Sequence, residues 1–145
     1  MKLLDVNILV EVHRSDAPHH RAINEWLVRE MKSYGGVGVS ELVLSGFLRV
    51  VTHPRVFKEP TPVASAVDFV RDLRSRRAVR IPHNGPEHWN IFNDLLERYE
   101  ARGNQIPDLY HAATAIEYGY EWVSLDRGFS RYRELRWQHP LDSAQ

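Results

Sequence analysis

Apolar positions along this chain recur in two rhythms: short unbroken runs, and longer stretches with a helical repeat. Lys2–Asp5 predicts a first strand. Val6–His13 starts helical, and Ser15-Asp16-Ala17-Pro18 makes a turn. From His19 to Tyr34, Ala22, Ile23, Trp26, Leu27 and Met31 fall near helical spacing, and Gly35-Gly36 ends that helix. Val37–Val39 is a short second strand, and Ser40 is placed to cap a helix through Glu41, Leu44, Leu48 and Val51. His53-Pro54-Arg55 breaks it. A helix follows from about Pro62 to Arg74, then a third strand at Val79–Ile81. Glu87–Arg102 repeats Trp89, Phe92, Leu96 and Tyr99 with helical period. Pro107–Tyr118 is a further helix ended by Gly119, and Glu121–Ser124 is a fourth strand. A short helical segment and a fifth strand near Arg136–Gln138 complete the chain.

Strands alternating with helices, each strand too short to be half-exposed, predict an α/β sandwich around a parallel sheet. No repeat, low-complexity tract or linker interrupts the pattern, so residues 1–145 read as one domain. In such sheets ligands bind beyond the carboxyl ends of the strands. The residues that end each strand therefore matter most.

Composition narrows the chemistry. There is no cysteine, which excludes disulfides and thiolate metal sites and suits a reducing cytoplasm. No apolar run approaches the roughly 18 residues of a membrane span. Asp5 interrupts the first apolar run too early for a signal peptide. The net charge is zero, so no overall field draws in nucleic acid. Only Lys2, Lys32 and Lys58 are lysine; the other cations are arginine, which suits bidentate phosphate binding but also follows from a GC-rich genome.

Four acids stand where the topology points. Asp5 ends the first strand, Glu41 follows the second by two residues, and Asp126 follows the fourth by two. Asp108 opens the helix that leads into the fourth strand. Each alone reads as a turn former, a helix cap or a partner of a helix dipole. Together they are expected at one edge of the sheet, which capping does not require. Two unit charges about 4 Å apart repel by roughly 4 kcal/mol at an effective dielectric of 20. Clustered carboxylates therefore need a counter-charge or take up protons. A divalent cation with oxygen ligands answers that need, and Mg²⁺ or Mn²⁺ fits a site without imidazole or thiolate. Such an ion activates water and neutralises a phosphodiester.

Four segments carry a family resemblance, in the family's order. Leu3-Leu4-Asp5-Val6-Asn7-Ile8-Leu9-Val10 resembles the opening of PIN domains. The stretch from Gly103 to Gly119, with Asp108 heading a small-residue helix, is similar to the family's most recognisable segment. Ser124-Leu125-Asp126-Arg127-Gly128-Phe129 is similar to its last acidic motif. Leu44–Pro54 is similar to one VapC-like branch. The resemblance implies a PIN-like three-layer sandwich and a metal-dependent endoribonuclease, the toxin of a type II toxin–antitoxin pair. It also implies cleavage of tRNA or rRNA by metal-activated water, neutralisation by a VapB-like antitoxin, and a homodimer. By resemblance Asp5, Glu41, Asp108 and Asp126 are the metal-binding and catalytic acids. Asn7 hydrogen-bonds Asp5 or a substrate phosphate, or else is a turn residue; Ser124 assists at the site or touches substrate, or else serves as a strand-end cap. One departure stands out: the family often has a further aspartate where this chain has Gly128.

Other features are weaker. His19-His20 do not face the same way on a helix and lack a partner one turn on. His111, one turn after Asp108, reads as a helix-face residue that could reach substrate. The run Arg71, Arg74, Arg76, Arg77, Arg80 reads as a solvated helix end or as a grip on RNA phosphates. Two other functions compete. An aspartyl phosphatase would need a second aspartate two residues after Asp5, where Asn7 stands. A catalytically degenerate PIN fold serving as an RNA- or protein-binding module would not need clustered like charge.

Overall fold

The computed structural model describes residues 1–142. Its centre is β1 (Lys2–Leu4), hydrogen-bonded in parallel to β2 (Val37–Gly38) on one side and to β4 (Glu121–Val123) on the other. β3 (Val79–Arg80) and β5 (Trp137–Gln138) complete a five-stranded parallel sheet of order β3-β2-β1-β4-β5. The predicted α/β class is found, with strands shorter than the sequence suggested: β2 stops at Gly38 and β3 at Arg80. A side chain at Gly38 would meet Leu3 Cδ2 at 2.7 Å, so its absence lets Leu3 fill the central layer.

Helices occupy every connection. α1 (Val6–His13), α2 (His20–Lys32), α3 (Glu41–Val51) and α4 (Val63–Ser75) pack as a chain of neighbours, while α5 (His88–Arg98) and α6 (Gln105–Tyr118) form a close pair. The links from β1 to β2 to β3 travel one way across the sheet, and the link from β3 to β4 reverses. Right-handed crossovers then put α1–α4 on one face and α5–α6 on the other, giving three layers. Both interfaces are filled by buried apolar residues, among them Leu4, Ile8, Leu9, Phe47, Leu109, Ala112, Trp122 and Phe129.

Helix ends moved from their predicted places for identifiable reasons. The α5 helix stops at Arg98 rather than Arg102, because Glu100 turns into the left-handed region at φ 47° and Ala101 N bonds back to Leu96 O at 3.0 Å. α6 begins two residues before Pro107. The proline lies in the first turn, where its missing N–H has no helical partner to lose. Gly119 ends that helix in the left-handed conformation (φ 69°), as its position predicted. α2 is trimmed to His20–Lys32.

Candidate active site

The reversal of strand order between β1 and β4 opens a crevice at their carboxyl ends, the usual ligand position in an open parallel sheet. Asp5 leaves β1 there, and Ser124 and Asp126 leave β4. Asp5 is also the N-cap of α1: its Oδ1 accepts from Val6 N at 2.6 Å, an arrangement that fixes the carboxylate on the helix axis. Its Oδ2 accepts from the Ser124 hydroxyl at 2.6 Å. Ser124 Oγ in turn accepts from Asn7 Nδ2 and from Asp126 N, each at 3.0 Å. Asn7 Oδ1 accepts from Leu125 N at 3.1 Å. One hydroxyl thus has its proton and both lone pairs engaged, and it ties the end of β1, the start of α1 and the end of β4 into one unit. Ser124 is fully buried, so its hydroxyl serves Asp5 rather than facing solvent. Asn7 is turned to the same network.

Asp126 caps the 3-10 turn Arg127–Arg131, its Oδ1 accepting from Gly128 N at 2.8 Å. Asp108 comes from the first turn of α6, above the buried stripe of Ala112 and Ala115 that lets this helix lie close to the sheet. Asp5 feels the charges of both other aspartates. Burial, aided by Asp108 and Asp126, pushes the Asp5 carboxyl up to about 6 against the pull of its hydrogen bonds. Burial and the Asp126 charge raise Asp108 as well, with Arg131 pulling the other way. These are carboxylates that ionise at a cost.

Glu41 stands apart. Ser40 caps α3 as predicted, its Oγ accepting from Val43 N at 3.1 Å. The Glu41 side chain, however, is 57% exposed and accepts from Arg74 Nη1 at 3.1 Å, with His83 Nδ1 at 3.7 Å from its other oxygen. It lies in a neighbouring cleft lined by His83, Asn84, Tyr110 and His111. Among the described residues no three His, Asp or Glu side chains are close enough to share one ion. In donor chemistry the fit to a hard divalent cation is nonetheless good: oxygen ligands only, with Asp5 and Asp108 held above the ordinary carboxylate range by burial and by neighbouring negative charge.

The remaining candidates fall outside this crevice. Arg71, Arg74 and Arg76 are held by Asp68, Glu41 and Asp72. His111 stacks on Trp122 (5.2 Å, 15°), and burial lowers it to about 4, so it is neutral at physiological pH. Arg131, which the sequence reading passed over, reaches the site from the 3-10 turn. Its Nε donates to Gly128 O at 2.9 Å. Its only sequence signal was its place five residues after Asp126.

Comparison with known proteins agrees with this frame. The PIN domain family profile matches residues 2–135. The VapC ribonuclease Mb2897 of Mycobacterium bovis is 42% identical over 142 residues, covering 98% of this chain and 97% of that protein. In fold, the chain is similar to VapC20 of Mycobacterium tuberculosis, described as a sarcin-ricin loop cleaving toxin (TM-score 0.68, 16% identity, 94% of this chain and 99% of that one). It is equally similar to a chain of VapBC2 from Rickettsia felis, solved on a promoter DNA fragment (TM-score 0.68, 17% identity, 94% and 96% covered). Divalent-metal dependence is general among PIN-domain VapC ribonucleases. From end to end, this chain belongs to the PIN-domain family, on its VapC branch.

Proposed function

We propose that the protein is a Mg²⁺-dependent endoribonuclease, with Mn²⁺ able to substitute, and that a VapB-like antitoxin neutralises it. The observation that carries this reading is the convergence of Asp5, Asp108 and Asp126 on the β1–β4 crevice, with Asp5 raised to about 6. The ribonuclease names of its relatives and the toxin–antitoxin complexes of its structural neighbours support it. Asp5, Asp108 and Asp126 would hold the ion once their side chains closed on it, and Glu41 would join them on release from Arg74. When bound, the ion supplies an activated water and charge neutralisation at the phosphodiester. The chain itself does the positioning. Ser124 and Asn7 hold the Asp5 carboxylate in place, and Asp126 is steadied by the turn it caps. Water attacks phosphorus, the bond to the 3′-oxygen breaks, and the products carry a 5′-phosphate and a 3′-hydroxyl. The substrate class is structured RNA, tRNA or rRNA.

The test is incubation with total cellular RNA and Mg²⁺ or Mn²⁺, with an EDTA control and with Asp5→Asn and Asp108→Asn variants checked for folding. Discrete cuts that need both the metal and both carboxylates, with 5′-phosphate ends on mapping, are expected. A 2′,3′-cyclic phosphate end would refute attack by water. Co-expression with a candidate VapB-like antitoxin tests the partner, and sedimentation tests the homodimer. The pairing of Glu41 with Arg74 favours a second reading, a degenerate PIN fold that binds RNA or protein without cutting. Absence of cleavage and of Mn²⁺ binding in folded protein would select it.

A further inference from the structure

The cations around the aspartates are not equally free. Arg127, next to Asp126, is drawn away to Asp142 at 2.9 Å, and Arg74 is taken by Glu41 at 3.1 Å. Arg131 is placed differently. Its Nε bond to Gly128 O fixes the guanidinium over the turn that also carries Asp126. A Cβ built on Gly128 would lie 2.9 Å from Asp126 Oδ1 and 3.1 Å from Arg131 Nη2. Carboxylate and guanidinium therefore close in over the turn together, at a residue whose missing side chain lets both approach. No carboxylate among the described residues comes within the 4.0 Å of an ion pair with Arg131, and the residue is exposed.

A guanidinium that stands beside acids without pairing keeps its outward donors available. The acids repel an approaching phosphodiester, and a planar cation at their margin offsets that repulsion with two parallel N–H donors. We propose that Arg131 binds a phosphate of the RNA at the acidic crevice through its Nη donors, and that Gly128, by carrying no side chain, lets the guanidinium lie beside the Asp126 carboxylate. The assignment rests on the nuclease reading above.

The experiment compares wild type, Arg131→Ala and Arg131→Lys, with Arg133→Ala as a control for loss of one exposed charge nearby. Affinity for a fluorescein-labelled, mixed-sequence single-stranded RNA is measured in EDTA across a salt series. Cleavage of total RNA with Mn²⁺ and the urea unfolding midpoint are read in parallel. Arg131→Ala is expected to bind about tenfold more weakly at low salt, with the slope of log K against log salt shallower by about 0.7, the signature of one lost single-strand phosphate contact. Arg131→Lys recovers the slope but cuts more slowly, because an ammonium lacks the paired donors. Arg133→Ala keeps the wild-type slope. If wild type cuts RNA and Arg131→Ala retains its slope and affinity while its unfolding midpoint falls, Arg131 is a strut for the turn and the proposal is overturned. If wild type neither binds nor cuts RNA, the nuclease reading itself falls and takes this assignment with it.

Discussion

Asp5 makes the folded state sensitive to pH in an unusual direction for a carboxylate. Its pKa is raised from 3.8 to about 6, chiefly by burial. The folded chain therefore holds that proton more tightly than the unfolded chain. The contribution to stability is complete below the unfolded value and is lost as pH rises through about 6. Raising the carboxyl from 3.8 to about 6 corresponds to roughly 3 kcal/mol. Asp5→Asn removes the titration but adds a conflict. An amide nitrogen in place of Oδ2 faces a Ser124 oxygen whose lone pairs already take Asn7 and Asp126 N–H groups. That conflict costs about 1–3 kcal/mol at every pH, so it displaces the curve without tilting it. Urea unfolding of both proteins in EDTA, from about pH 4 to about pH 8, isolates the tilt. Wild type should lose about 2–3 kcal/mol relative to Asp5→Asn across that window. A difference that stays flat, or one that slopes the other way, would refute the buried-carboxylate argument.

Four other outcomes are expected. Glu41→Gln removes an exposed pair with Arg74 and should change stability by less than about 1 kcal/mol in urea. The same variant should slow RNA cleavage about tenfold or more if Glu41 supports the ion; wild-type cleavage would exclude it. Ala112→Leu forces a larger side chain into a fully buried position between α6 and the sheet, and should cost about 1–3 kcal/mol in the same unfolding assay. NMR titration of the His111 imidazole should show a midpoint about 4, whereas a midpoint near the ordinary histidine value would contradict its burial against Trp122.

Local signals carried much of this fold. Gly119 after an apolar helix, Ser40 before one, and short strands lacking alternation each act through a few neighbouring residues, and each was legible. The acids at strand ends were legible for the same reason. What failed depended on distance in sequence. The end of α5 turns on Glu100 adopting a positive φ, which no local preference announces. Glu41 meets Arg74 from 33 residues away, and Ser124 meets Asp5 from 119 residues away. Both contacts exist only once strand order is set, and a parallel sheet gives little sign of its order in sequence. The expectation of four acids at one edge treated strand ends as equivalent. The reversal between β1 and β4 makes that pair special and leaves the end of β2 one strand further off.

The brevity of the outer strands has a consequence for how other chains can attach. β3 and β5 bound the sheet with two residues each, Val79–Arg80 and Trp137–Gln138. An incoming peptide that tried to extend the sheet would find too little open backbone for a ladder, and strand addition is a poor route onto this molecule. Recognition is left to side chains on helices and turns. Backbone ladders accept almost any sequence, but side-chain surfaces do not. A sheet trimmed this closely therefore favours partners that are read residue by residue.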